Sequence, residues 1–452
     1  MPLTRWLAEY AWLPDHAEPT PDVLIEAEAG RVTAVTPLVG GGAPAAGVEV
    51  LGDAVRLPGL TLPGLANAHS HAFHRALRGR THGGRGDFWS WRDVMYDVAA
   101  RLDPDSYLAL ARAAYAEMAL AGITCVGEFH YLHHGPEGRP YADPNAMSAA
   151  LVEAAAHAGI RLTLLDTAYL TASVDGAELA GTQRRFGDGD ALRWAERVDA
   201  FRPENDHARV GAAIHSVRAV PAEQLATVAG WADRNGVPLH VHLSEQPTEN
   251  DACRAVHGCS PTRLLADHGV LGPHTTAVHA THPTSADVAL LGESRTGVCL
   301  CPTTERDLAD GIGPARRMFD AGSPLSLGSD SHAVVDLFEE ARAVELDERL
   351  RTRRRGHFAA AELVGAATAA GHAALGWGDA GRLSVGDRAD LVTVRLDSAR
   401  TAGVPPVGAF FAATAADVTH VVVDGRTVVA DGRHLTVDVP AELHSAIAEV
   451  TS

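Results

Sequence analysis

Lysine is absent from this 452-residue chain, and all 38 of its basic residues are arginine. That excludes chemistry resting on a lysine amine, including a Schiff base, a phosphate-loop lysine and a carbamylated lysine bridging two metal ions. Basic residues are also outnumbered: 57 acidic side chains leave a formal charge of −19. Such a chain has no concentrated basic face for nucleic acid. Cysteine is scarce. Cys125, Cys253, Cys259, Cys299 and Cys301 are odd in number and contain no Cys-x-x-Cys pair, so free thiols in a reducing compartment are expected rather than a disulfide framework or a zinc knuckle. Long apolar runs are missing too. The longest, residues 108–126, carries Arg112 and Glu117, which argues against a membrane span. Glu9 and Asp15 break up the N-terminal apolar residues, so no leader pattern is seen. A cytoplasmic protein without nucleic-acid or membrane partners is the expectation.

The 46% hydrophobic content is that of an ordinary globular protein. Both ends of the chain show short β patterns. Val23-Leu24-Ile25 and Val32-Thr33-Ala34-Val35 flank a turn at Gly30, followed by a Gly40-Gly41-Gly42 loop. Near the other end, Ala389–Val394 is followed by Val421-Val422-Val423 and Thr427-Val428-Val429 around Asp424-Gly425, a specific hairpin signal. One small β domain, a sandwich assembled from residues 1–60 and 383–452, is expected. Between them, apolar runs at 122–126, 161–165, 210–214, 238–243, 276–278, 297–300 and 324–327 are each followed by a segment long enough for a helix. With the run before His69 they make eight, and repeated β-then-α units imply parallel strands. The class is α/β, and a (β/α)₈ barrel over residues 61–382 is expected in preference to an open doubly wound sheet.

Polar residues gather just past the ends of those strands, where barrel enzymes place their sites. In Pro63-Gly64-Leu65-Ala66-Asn67-Ala68-His69-Ser70-His71 the two histidines are two apart, so they face one way and can converge on one metal ion. In Leu239-His240-Val241-His242-Leu243-Ser244-Glu245, His242 lies nearer the strand end and is the expected ligand. His240 is placed in the inner layer as a hydrogen-bonded core group, and Glu245 hangs over the metal as a proton shuttle. His279 closes the next strand, and Asp330 follows Leu325-Ser326-Leu327-Gly328-Ser329. Cys299 and Cys301 share one strand face, which suits packing. The run Arg351-Thr352-Arg353-Arg354-Arg355 reads as a solvated helix end without a role.

This order of strand-end ligands resembles the amidohydrolase superfamily, and the likeness runs over nearly the whole chain. With no lysine to bridge two metals, it points to the mononuclear, deaminase-like branch. Within that branch the chain resembles the formimidoylglutamate deiminases in His69-Ser70-His71-Ala72-Phe73-His74-Arg75-Ala76, Asp87-Phe88-Trp89-Ser90-Trp91-Arg92, Glu128-Phe129-His130-Tyr131-Leu132-His133-His134, His215-Ser216-Val217-Arg218 and Cys301-Pro302-Thr303-Thr304-Glu305. The resemblance implies one divalent metal, zinc for preference, on His69, His71, His242 and Asp330. It implies chemistry by Glu245, His279 and Asp330, and substrate contacts from His74, Arg92, Tyr131, His215 and Arg218. A small dicarboxylate substrate is implied, N-formimidoyl-L-glutamate, opened to N-formyl-L-glutamate and ammonia in histidine breakdown by a homodimeric enzyme. Guanidinium forks suit carboxylates, so Arg92 and Arg218 are apt anchors. One position departs, since His74 stands where these enzymes usually carry glutamine. A ring deaminase acting on an aminopurine or related base is the alternative within the branch, and a non-catalytic barrel scaffold the alternative outside it.

Overall fold

The computed structural model describes residues 3–38, 53–81 and 88–452, with residues 88–90 as backbone only. The Gly40-Gly41-Gly42 loop and Asp87 lie outside the described residues. Four strands open the chain: β1 (Thr4–Ala11), β2 (Thr20–Glu28), β3 (Arg31–Pro37) and β4 (Val55–Pro63). Eight occupy the middle: β5 (Leu65–Ser70), β6 (Ile123–His130), β7 (Arg161–Ala168), β8 (Ala208–Ile214), β9 (Leu239–Leu243), β10 (Thr275–His279), β11 (Gly297–Leu300) and β12 (Leu325–Leu327). The last four are β13 (Leu391–Val394), β14 (Val418–Val423), β15 (Arg426–Ala430) and β16 (Arg433–His434).

The middle strands pair in chain order, each parallel to its neighbour. A parallel bridge from Ser70 to Asp330 joins β5 to the chain just past β12. This is the expected (β/α)₈ barrel, and each of the eight apolar runs contributes one strand. Helices cover the outer face and side chains fill the interior, so a strand such as β7 is buried at every position and reads as an apolar run instead of alternating. Local chemistry starts the helices on cue. Asp103 and Ser106 form a capping box for Pro104–Leu120, and Thr284 and Asp287 form one for Ser285–Glu293.

The two chain ends share one sheet in the order β16-β15-β14-β13-β4-β1-β2-β3. Its expected Asp424-Gly425 turn has both residues at positive φ, 47° and 74°, the geometry that matches the twist of a tight hairpin. The chain passes from this sheet into the barrel at Gly64, between β4 and β5. A Cβ there would stand 2.3 Å from Thr124 Oγ1 and 2.8 Å from Asp390 Cβ, so only glycine lets the two strands follow each other so closely. Beneath this junction the Arg161 guanidinium is buried against Asp390, with Nη1 donating at 3.0 Å, and lies 5.2 Å from the Trp377 ring. The final helix, Val439–Thr451, packs on barrel helix Pro104–Leu120, with Arg112 Nε donating to Glu442 at 2.7 Å. No helix among the described residues is long and apolar enough to cross a membrane.

Candidate active site

At the C-terminal face of the barrel His69, His71, His242 and Asp330 converge, all buried, with ligand atoms within 4.8 Å of one another. Asp330 Oδ1 lies 3.3 Å from His69 Nε2 and 3.3 Å from His71 Nε2, and His242 Nε2 lies 3.1 Å from His69 Nε2. Two ligands each about 2.0–2.1 Å from a shared tetrahedral ion stand roughly 3.3 Å apart. The tautomers are set from outside. His71 Nδ1–H donates to the Phe129 carbonyl and His242 Nδ1–H to the His215 carbonyl, both at 2.9 Å, leaving a bare Nε2 turned inward on each ring. The bare Nε2 of His71 thus faces a carboxylate oxygen with no proton between them, an arrangement that a cation makes attractive. Burial lowers the pKa of His69, His71 and His242, that of His71 to about 3, so all three are neutral donors. Burial pushes Asp330 upward, but its hydrogen bond with His69 and the nearby cationic His279 hold it well below the usual carboxylate range. Three imidazoles and a carboxylate fit one borderline divalent ion such as zinc.

The strand ends here are strained. Ser244 (φ 50°), His279 (φ 68°), Ala280 (φ 48°) and Asp330 (φ 41°) all take left-handed backbone conformations without being glycine, at about 1–3 kcal/mol each. Barrel hydrogen bonds hold them: Asp330 N–H donates to the His69 carbonyl and Ala280 N–H to that of Leu243, both at 3.0 Å. His240 turns to the inner layer as expected, with Nε2–H donating to the Ala374 carbonyl at 2.9 Å.

Around His279 the charges are unequal. Glu245 Oε1 lies 3.8 Å and Asp330 Oδ2 3.7 Å from its Nε2, and Glu305 Oε1 lies 3.4 Å from its Nδ1. Burial pulls this imidazole down, but Glu245, Glu305 and Asp330 outweigh it and raise its pKa well above the ordinary value. Burial raises the carboxyl of Glu245. A cationic histidine and a carboxylate whose proton affinity burial has raised therefore sit side by side at the metal set.

A pocket opens over these groups, and His74, Arg92, Tyr131, His215 and Arg218 all line it. His74 Nε2 is 3.0 Å from the Tyr131 hydroxyl, and the Arg92 guanidinium lies 5.5 Å from the Tyr96 ring centroid. Every site residue expected from the sequence thus reaches one cavity or its floor. The sequence reading did not single out Tyr96, Tyr169 and Phe186, which complete the wall. Tyr96 was within reach, because it follows Arg92 by four residues on helix Phe88–Arg101 and so shares its face. Tyr169 and Phe186 lie in the irregular stretch after β7, where no periodicity marks them.

Of the string from Glu128 to His134, only Tyr131 enters the pocket; the other polar side chains brace it. Glu128 accepts from Ser70 Oγ at 2.9 Å and from Ala72 N–H at 2.7 Å; burial lifts its carboxyl to about 8. His133 Nε2–H donates to the Thr167 carbonyl at 2.9 Å, and His134 Nε2 is 3.0 Å from Asp188 Oδ1. Behind them Arg185 is buried with its guanidinium on carbonyls: Nε donates to His134 at 2.9 Å, Nη2 to Leu102 at 2.6 Å and Nη1 to Ala99. It ties the end of the helix bearing Arg92 and Tyr96 to the loop bearing Tyr131.

The amidohydrolase family profile matches residues 60–428. A formimidoylglutamate deiminase of Pseudomonas aeruginosa is 40% identical over 397 residues, spanning 84% of this chain and 87% of its own. A 5-methylthioadenosine/S-adenosylhomocysteine deaminase of Halobacterium salinarum is 31% identical, with 94% and 92% covered. Among solved structures, an amidohydrolase from Brucella melitensis superposes with a TM-score of 0.88 at 31% identity, over 99% of this chain and 100% of that one. Barrel, strand-end ligand set and relatives agree: the chain belongs to the amidohydrolase family and is one of its deaminating hydrolases.

Proposed function

We propose that the substrate is N-formimidoyl-L-glutamate, hydrolysed to N-formyl-L-glutamate and ammonia. The observation that carries this reading is the pairing of Arg92 and Arg218 in one pocket with the metal set. Two guanidinium groups suit a ligand with two carboxylates, whereas a neutral purine or pterin asks for no such pair. The likeness to a formimidoylglutamate deiminase supports the same choice.

A divalent ion held by His69, His71, His242 and Asp330 would supply hydroxide near neutral pH and polarise the attacked group. The protein's own residues account for the rest. Arg92 and Arg218 bind the carboxylates, with Tyr131 and His215 completing the hold. Tyr131 is oriented by His74, whose ring takes the place of the usual glutamine amide. Asp330 receives the proton of the attacking water. Glu245, 3.8 Å from His279 Nε2, carries a proton to the leaving nitrogen, and cationic His279 stabilises charge at the attacked carbon. Trp91, Tyr96, Tyr169 and Phe186 wall the pocket and exclude bulk water, which strengthens both ion pairs.

The test is ammonia release by metal-loaded protein from N-formimidoyl-L-glutamate, with N-formimidoyl-L-aspartate, guanine and 5-methylthioadenosine in parallel. Turnover of the glutamate compound that falls in Arg218→Ala is the expected result. Turnover of a ring substrate with none of the formimidoyl compounds would overturn the reading.

A further inference from the structure

Next to the first ligand set lies a second. Cys301 follows β11 and is fully buried. Its sulfur reaches the floor of the site because position 328 has no side chain: a Cβ on Gly328 would stand 2.9 Å from Cys301 Sγ and 2.7 Å from His69 Cβ. Ligand atoms of His279, Cys301 and Asp330 all lie within 4.8 Å of one another, and all three residues are buried. The two carboxylate oxygens of Asp330 divide between the sets. Oδ1 is 3.3 Å from both His69 and His71, while Oδ2 is 3.7 Å from His279 Nε2.

We propose that His279, Cys301 and Asp330 form a second, inhibitory site for a thiophilic divalent cation, with Asp330 shared between the two positions. Sulfur, imidazole and carboxylate together select zinc or cadmium and reject magnesium and calcium. Tetrahedral bonds of about 2.3 Å to sulfur and 2.0–2.1 Å to nitrogen place those two atoms roughly 3.5 Å apart, which a side-chain shift of about 1 Å provides. Glu245, 3.8 Å from His279 Nε2, stands ready as a fourth ligand from the pocket side. Two ions joined through one carboxylate are typically about 3.5–4 Å apart. No lysine is needed for this pairing. On ligation the Cys301 thiol and the cationic His279 imidazole each release a proton to solvent. Occupancy inhibits because it takes His279 and Glu245, the groups assigned above to charge stabilisation and proton transfer. Only that consequence rests on the proposed function; binding itself does not.

The experiment is a Cd²⁺ titration of metal-depleted full-length protein in a Cys253→Ser/Cys259→Ser background, which removes the partly exposed thiol, Cys259, and its neighbour Cys253. Bound metal is counted by equilibrium dialysis, and the sulfur-to-cadmium charge-transfer band is read in the ultraviolet. Two equivalents are expected, with the band accompanying the second. Adding Cys301→Ala should leave one equivalent and no band, and adding His242→Ala should weaken the first equivalent while keeping the band. With zinc, ammonia release should rise to one equivalent and fall at least tenfold as the second binds, and Cys301→Ala should abolish the fall. Uptake of a single equivalent by the parent, two equivalents without a band, or a band that survives Cys301→Ala would each overturn the proposal. Retention of the first equivalent shows that Cys301→Ala is folded. The binding arms use no substrate, so an incorrect substrate appears separately, as no ammonia at one equivalent.

Discussion

Replacing Arg185 with methionine tests how the substrate pocket is braced. The guanidinium donates to the carbonyls of Ala99, Leu102 and His134, and Nη2 also reaches the Tyr141 hydroxyl at 3.3 Å. Methionine fills a similar volume but donates nothing. Each buried carbonyl left without a partner costs about 1–3 kcal/mol, so three should cost at least about 3 kcal/mol even where water relieves part of the loss. The urea midpoint should fall accordingly, with the slope unchanged. Function should suffer selectively. The freed carbonyls of Ala99 and Leu102 lie at the end of the helix that presents Arg92 and Tyr96, while that of His134 lies beyond Tyr131. Loosening both should raise KM for N-formimidoyl-L-glutamate about tenfold, equivalent to about 1.4 kcal/mol, with kcat changed far less because the metal set is untouched. Arg185→Lys, with one ammonium for three carbonyls, should fall between. An Arg185→Met protein with the parent's midpoint and a KM within about twofold would refute the reasoning.

Further expectations concern the metal, the anchor and pH. His242→Ala removes one of the four candidate ligands, so metal content by elemental analysis should fall well below that of the parent and ammonia release should be lost. Arg218→Ala removes charge-assisted hydrogen bonds worth about 1.5–3 kcal/mol. It should lower kcat/KM for the dicarboxylate roughly 10- to 150-fold and leave metal content unchanged. Glu128 contributes to the pH dependence of stability: burial raises its carboxyl from 4.5 to about 8. The folded state therefore keeps a proton that the unfolded state gives up, and the contribution of this group to stability declines as pH rises from about 4.5 to about 8, then levels. Glu128→Gln copies the protonated form and should flatten that decline in urea midpoints taken across the range.

The barrel could be read from the sequence because burial on both faces turns each parallel strand into a short apolar run, and the following helix adds a clear change of period. The candidate metal set was legible because His69, His71, His242 and Asp330 each stand at or just past the C-terminal end of a barrel strand, and the family resemblance singled these four out. What escaped the reading has no period of its own. Phe186 and Arg185 lie at the end of a short 3-10 turn, Gly181–Arg185, between β7 and the next helix, and only the folded chain brings Phe186 to the pocket wall and Arg185 behind it. Glu305 was quoted for its motif, yet its role beside His279 Nδ1 depends on how the turn after β11 approaches the end of β10. His130, His133 and His134 entered the sequence analysis only as part of the string that carries the resemblance. In three dimensions all three are buried outside the pocket lining, His133 on the Thr167 carbonyl and His134 on Asp188.

The handover at Gly64 also governs the order in which the molecule can be completed during synthesis. Thr61 and Thr393 share a buried hydroxyl contact of 2.9 Å across 332 residues of chain, and β4 pairs with β13 through residues 60–63 and 391–394. At about 5–20 residues per second on the ribosome, β4 waits roughly fifteen seconds to a minute for its neighbour. During that wait one edge of β4 is unpaired, and an open edge invites pairing with another nascent chain. Gly59 in β4, at φ 111°, where a Cβ would lie 2.1 Å from the Val394 carbonyl oxygen, bends this edge away from a regular extended template. The same residue that admits β13 so closely thus makes the waiting strand a poor match for any other.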